Sequence, residues 1–243
     1  MRRLVGTVAP HMPAPVARKL LRGRHPFDLR HGTETGGLLY APDLPTGHAH
    51  DAFNEGYYAT APSLFRGLLS CWEDKLARVG LRVSDYHFID LGCGKGRALL
   101  LASELPFRSI TGVELHEGLC AAARRNVECW MRGPRACSRI SVVCGDVLKL
   151  AAPEEPVVLF LFNSFGEAVM RPLLERLATA AERRTRPMDL LYVHPDWAKM
   201  VECTAGVETL FRGEIEFSRE DALADAFGVD LDAVAIYRMG GKF

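Results

Sequence analysis

The chain has 243 residues, 48% of them hydrophobic, enough to build the two-sided core of one compact domain with appendages. Thirty Lys and Arg residues balance thirty Asp and Glu, so no overall field draws the molecule to nucleic acid or to an anionic membrane. Seven cysteines, an odd number with no CxxC pair, argue against a disulfide framework or zinc finger and for a reduced cytoplasmic interior. No run nears the roughly 20 apolar residues of a membrane span.

Residues 1–31 hold seven basic residues against one acid, Asp28, with four prolines. This reads as a solvated basic tail, with 14–21 able to form a short amphipathic helix. Residues 32–61 are rich in Gly, Pro, Thr, His and Tyr without periodicity. An irregular segment of that length carrying Leu38, Leu39, Tyr40, Tyr57 and Tyr58 is expected to be a functional lid. The chain thus divides at residue 61 into tail and lid (1–61) and a main domain (62–243). Pro62 suits a first helical turn, and Phe65, Leu68, Leu69, Trp72 and Leu76 line one face of a helix ending near Gly80.

Strands are then predicted at 87–91, 109–115, 139–144, 157–162 and 188–193, and helices at 97–105, 117–131 and 169–181. The uninterrupted apolar run at 157–162 is typical of a strand buried on both faces. This alternation demands an α/β fold, a doubly wound and mostly parallel sheet with right-handed crossovers and helices on both faces. Two last strands, 210–217 and 233–239, complete a Rossmann-like seven-stranded sheet as an antiparallel C-terminal edge hairpin.

Between the first strand and its helix runs Asp90-Leu91-Gly92-Cys93-Gly94-Lys95-Gly96-Arg97. A tight glycine turn lets backbone N–H groups approach a ligand without Cβ interference, near a helix N-terminus. Dinucleotide sites favour G-x-G-x-x-G over a pyrophosphate. The spacing here is G-x-G-x-G, and Asp90 would repel a pyrophosphate but favour an ammonium. Glu114 ends the second strand, where an acid can accept bonds from both ribose hydroxyls, and Asp146 follows the third, where it can accept from an adenine amine.

These features together resemble the class I S-adenosylmethionine-dependent methyltransferases: the glycine loop, Gly112-Val113-Glu114-Leu115 and Gly145-Asp146-Val147 match that family's first three motifs in order and spacing. The resemblance covers residues 86 to about 165 closely. It implies that Asp90, Gly92, Cys93, Gly94 and Gly96 hold the methionine part of S-adenosylmethionine, Glu114 the ribose, and Asp146 with Val147 the adenine. A looser likeness links Tyr58-Ala59-Thr60-Ala61-Pro62 ahead of this loop to non-SET lysine methyltransferases and related bacterial enzymes. It implies that Tyr58 and Thr60 contact the cofactor, and does not extend to histone modification.

After the fourth strand, Phe162-Asn163-Ser164-Phe165 is similar to the Asn/Asp-Pro-Pro-Tyr/Phe motif of N-methyltransferases but lacks its prolines. Asn163 is the candidate that orients an acceptor, and His194, closing the fifth strand, the candidate base. His48, His50 and Asp51 lie close together, but without further ligand spacing no metal is expected. The expected activity is methyl transfer to a small molecule or a protein side chain, possibly an amine; nucleic acid is disfavoured as acceptor. A dehydrogenase and a non-catalytic S-adenosylmethionine-binding scaffold are the alternatives.

Overall fold

A computed structural model describes residues 25–77, 80–151 and 153–240; the stretch 14–21 expected as an amphipathic helix lies outside them. In chain order the elements are α1 (Pro26–His31), β1 (Leu38–Leu39), β2 (Tyr57–Tyr58), α2 (Pro62–Ala77), β3 (His87–Leu91), α3 (Arg97–Ala102), β4 (Ser109–Glu114), α4 (Glu117–Trp130) and β5 (Ile140–Cys144). They continue with β6 (Val157–Phe162), α5 (Glu167–Glu182), β7 (Met188–Val193), α6 (Ala198–Glu202), β8 (Val207–Glu216), α7 (Arg219–Ala224) and β9 (Leu231–Met239).

The seven long strands form one sheet in the order β5-β4-β3-β6-β7-β9-β8. Strands β5 to β7 run parallel through their crossovers, and β9 enters antiparallel between β7 and β8, leaving β8 at the edge. The chain order reverses between β4 and β6 on either side of β3, which is where open α/β sheets bind ligands at the strands' C-terminal ends. Both faces are covered. One side packs the helical face Leu64, Phe65, Leu68 and Trp72 of α2 against Phe88 and Phe160. On the other, Met170, Leu173 and Leu174 of α5 pack against Leu159, Leu161 and Leu190.

The fully buried β7 carries one charge near its N-terminal end. Asp189 is wholly buried, yet Arg238 of β9 meets it in a two-pronged pair (Nε to Oδ1 2.7 Å, Nη2 to Oδ2 2.8 Å), and Trp72 Nε1 donates to Oδ2 at 2.8 Å. A charge is tolerated in such a core only when paired and hydrogen-bonded. Both conditions hold here, and the cluster ties α2, β7 and β9 together.

Residues 25–31 depart from the solvated tail expected of them. Proline opens α1 and Gly32 closes it in the left-handed region. Phe27 is buried and stacks on Trp130 at 5.3 Å, anchoring the segment on α4. Hydrophobic burial of Phe27 outweighs the basic composition, and Arg30 is itself paired with Glu220 of α7.

Candidate functional site

Just beyond the reversal point lies a cleft with about 870 Å³ of empty space, counting its open mouth. Its floor is the turn after β3, where Gly92, Gly94 and Gly96 all have positive φ, at 84°, 52° and 85°. At Gly94 the requirement is doubly strict, because a Cβ there would lie 2.2 Å from Cε2 of Tyr57. Only glycine meets both the backbone and the packing condition.

Asp90, at the end of β3, lines this cleft and is almost completely buried. Among the described residues no group hydrogen-bonds its carboxyl, and burial, helped by the neighbouring Glu114 charge, pushes its pKa well above the ordinary 3.8. Glu114 accepts from Gly94 N at 2.9 Å and from His116 N at 2.9 Å, yet burial still raises its pKa. A buried acid without a partner and a part-buried one face the space above a glycine turn. A cationic ligand would relieve both.

The segment before α2 roofs the cleft and is fastened to the glycine loop by a buried network. Arg97, the first residue of α3, pairs with Asp28 of α1 at 3.3 Å, donates from Nε to Thr35 Oγ1 at 2.7 Å and from Nη1 to the Thr60 carbonyl at 3.3 Å. Asp28 Oδ1 also accepts from Thr33 Oγ1, Thr35 N and Thr35 Oγ1 at 2.6–2.9 Å. That network holds its carboxyl below the ordinary range despite burial. Tyr57 lies on the loop, its ring under Lys95 Nζ and its hydroxyl donating to Thr35 O. Further along, Glu55 N donates to Ser164 O at 3.1 Å and Gly166 N to Phe53 O at 2.7 Å, so the roof is stitched to the turn after β6.

Of the residues expected to contact cofactor, Tyr58, Thr60, Asp90, Gly92, Cys93, Gly94, Glu114 and Val147 line the cleft. Gly96 lies outside its wall and caps α3 in the left-handed conformation. Asp146 is also turned away: its Oδ1 accepts from Leu148 N at 2.9 Å and its carboxyl faces His48 and His50, because it caps the 3-10 turn Val147–Lys149. Cys93 is buried with its thiol pKa well raised, so it has no nucleophilic character here.

Asn163 and His194 do not line the cleft either, and the wall after β6 is made by Phe162, Ser164 and Phe165. The amide of Asn163 is used by Tyr192 OH (3.0 Å) and Asp196 (2.7 Å), and His194 Nδ1 sits 3.1 Å from Asp232. They are the two non-glycine residues with positive φ among the described ones, at 39° and 51°. Those backbone turns set their side chains into a polar cluster on the rim rather than into the cleft.

Tyr58 points the other way from Tyr57, as alternate residues of a strand must. Its ring contacts Phe162 at 6.5 Å and Phe227 at 5.3 Å, and its hydroxyl donates to Asp225 and accepts from Ala226 N. Burial and the Asp225 carboxylate both raise its phenol pKa, so it stays neutral.

Sequence reasoning missed Tyr57, Arg97 with Asp28, and Phe165. Tyr57 stood out only as a lid aromatic and Phe165 only within the motif after β6; Arg97 closes the glycine loop, but its partner lies 69 residues away in sequence.

The sheet order and its reversal point define a Rossmann-like fold. Residues 88–188 match a family model described as a methyltransferase domain. Similar solved structures include a protein from Pyrococcus horikoshii described as a candidate RNA methyltransferase (20% identity, 74% of this chain and 83% of that one, TM-score 0.49). A magnesium protoporphyrin IX methyltransferase from Synechocystis PCC 6803 matches at 12% identity over 72% and 79% with TM-score 0.46. The [4+2]-cyclase SpnF matches at 14% over 73% and 81% with TM-score 0.48. A search of curated protein sequences found no match. Among the described residues no helix is long and apolar enough to cross a membrane.

Proposed function

We propose that this chain binds S-adenosylmethionine in the cleft and transfers its methyl group to an amine on a small molecule or a protein side chain. The observation that carries the reading is Asp90: a buried carboxyl with no internal hydrogen bond, beside Glu114, on the floor of a glycine turn. The cofactor's ammonium supplies the opposite charge that this floor lacks, and a charge-assisted hydrogen bond of this kind contributes about 1.5–3 kcal/mol. Glu114 keeps a free lone pair on each oxygen for the ribose hydroxyls, while Val147 walls the adenine end. When bound, the cofactor supplies a methyl on a cationic sulfur.

The acceptor reading rests on the opposite wall. Tyr58, Phe160, Phe162 and Phe165 make an aromatic lining that holds an amine in its neutral, nucleophilic form by excluding water. Positioning then does most of the work, and a dedicated base is optional for an amine. Asn163 and His194 act from the rim in this scheme, Asn163 by fixing Tyr192 and Asp196.

The test is incubation of the full chain with methyl-labelled cofactor and a cell lysate, followed by separation of protein, nucleic acid and small molecules. Label in an amine of the protein or small-molecule fraction supports the reading. Label confined to nucleic acid overturns its acceptor half. Binding of cofactor with no label in any fraction favours a non-catalytic binding protein.

A further inference from the structure

A second constellation lies on the lid at the edge of the cleft. His48 Nε2 is 3.8 Å from Asp146 Oδ2, and His50 Nδ1 is 3.8 Å from Asp146 Oδ1. These three ligand atoms all fall within 4.8 Å of one another. No further ligand stands at metal spacing from the two histidines along the chain; the fold brings them a carboxylate from the loop after β5.

We propose that His48, His50 and Asp146 form a divalent transition-metal site that clasps the lid segment 46–51 onto the loop after β5. Two imidazoles and one carboxylate are a donor set suited to zinc or a similar borderline cation, and unsuited to the hard, oxygen-seeking magnesium ion. The separations are somewhat wider than ligands of one ion require, and side-chain rotations close them. All three side chains are part-buried, at 30%, 25% and 8% exposure, so they are partly desolvated but reachable.

The supporting shell is in place. Asp51 accepts from Thr46 N and Gly47 N, both at 2.8 Å, and from the Thr46 hydroxyl, which fixes the turn that presents the two rings. Asp51 is thereby a loop organiser and not a ligand. Asp146 is oriented by the Leu148 N–H, as metal-binding carboxylates usually are by an outer partner. A neighbouring cleft walled by Thr46, His48, His116 and Gly145 gives an entry path and room for water ligands.

One bond must yield. His48 Nδ1 accepts from His50 N at 3.2 Å, which places the proton of the neutral ring on Nε2. Metal at Nε2 shifts that proton to Nδ1 and breaks the contact. Three metal–ligand bonds outweigh the loss of this one neutral hydrogen bond.

The test uses the full chain, stripped with chelator under reducing conditions and titrated with zinc against a competing chromophoric chelator. One zinc per chain is expected, no competition by magnesium, and a cobalt(II) adduct without thiolate charge-transfer absorption. The double variant His48→Gln with His50→Gln, on the lid away from the core, and separately Asp146→Asn, should each weaken zinc by more than the ~10–100-fold that loss of an outer partner costs. Zinc should also slow amide exchange across 46–51 in the wild type alone. Absence of zinc binding, undiminished affinity in both variants, or a thiolate band that assigns the metal to the cysteines would overturn the proposal. None of these readouts uses S-adenosylmethionine, so their failure leaves the cofactor reading standing.

Discussion

Asp90 sets the terms at the scale of single residues. Its folded pKa is raised, so the fold holds the proton more tightly than the unfolded chain does. The stability this contributes is full below the ordinary 3.8 and lost as pH rises through the raised value. Thermal unfolding of the ligand-free protein should therefore show Asp90→Asn gaining stability over wild type as pH rises above the ordinary 3.8. The same variant should lose about 10- to 100-fold in affinity for S-adenosylhomocysteine, because the neutral amide no longer answers the ammonium. A variant that lost stability at pH 8, or kept its affinity, would remove Asp90 from the role given to it. Gly94→Ala is the steric counterpart: with φ at 52° and Tyr57 in the way, it should displace Tyr57 and abolish cofactor binding in calorimetry.

Much of this residue-level site was legible, because the glycine loop, Glu114 and Val147 are defined by spacing along one strand–turn–helix unit. What spacing could not resolve is direction. Tyr57 and Tyr58 are adjacent, yet one packs on Gly94 and the other on Phe162 and Phe227. Asn163 was read as facing an acceptor, but its positive φ turns it to Tyr192 and Asp196. Asp146 sits in the expected motif and turns to the lid.

At the scale of elements, two polar networks tie neighbouring elements together. Asp189→Ala removes the buried carboxylate that joins Arg238 of β9 and Trp72 of α2 to β7, and chemical denaturation should register a loss of about 3–5 kcal/mol. Replacing the pair together, as Asp189→Leu with Arg238→Met, should recover most of that loss. The second network is the link from Tyr58 to the connection between α7 and β9. Tyr58→Phe removes the hydroxyl that holds Asp225 and Ala226, so hydrogen exchange at 226–230 should rise. If that loop bounds the acceptor, KM for the acceptor should rise while the affinity for S-adenosylhomocysteine stays unchanged. Elements themselves were read well from periodicity, with ends displaced by a few residues: α3 stops at Ala102, short of the expected 105. The helix α1 was missed because its burial depends on Phe27 meeting Trp130, a contact 103 residues apart that no local pattern announces.

For the whole molecule, the parallel sheet and its reversal point follow from the strand–helix alternation, and the cleft follows from the reversal. The final pair of strands is antiparallel as expected, with β9 inserted between β7 and β8. The lid is the part that departs most from a simple tail-plus-domain division: through Arg97, Tyr57 and the pairing of 53–55 with 164–166 it forms one side of the cleft. The claim on which everything else depends is that this cleft holds an adenosyl amino acid. Calorimetric titration of the full chain with S-adenosylhomocysteine, with NADH as comparison, tests it most directly. The expected result is one site per chain for the first ligand, weakened in Asp90→Asn, and none for the second; no binding of S-adenosylhomocysteine by the folded wild-type chain, or binding of NADH in its place, would contradict it.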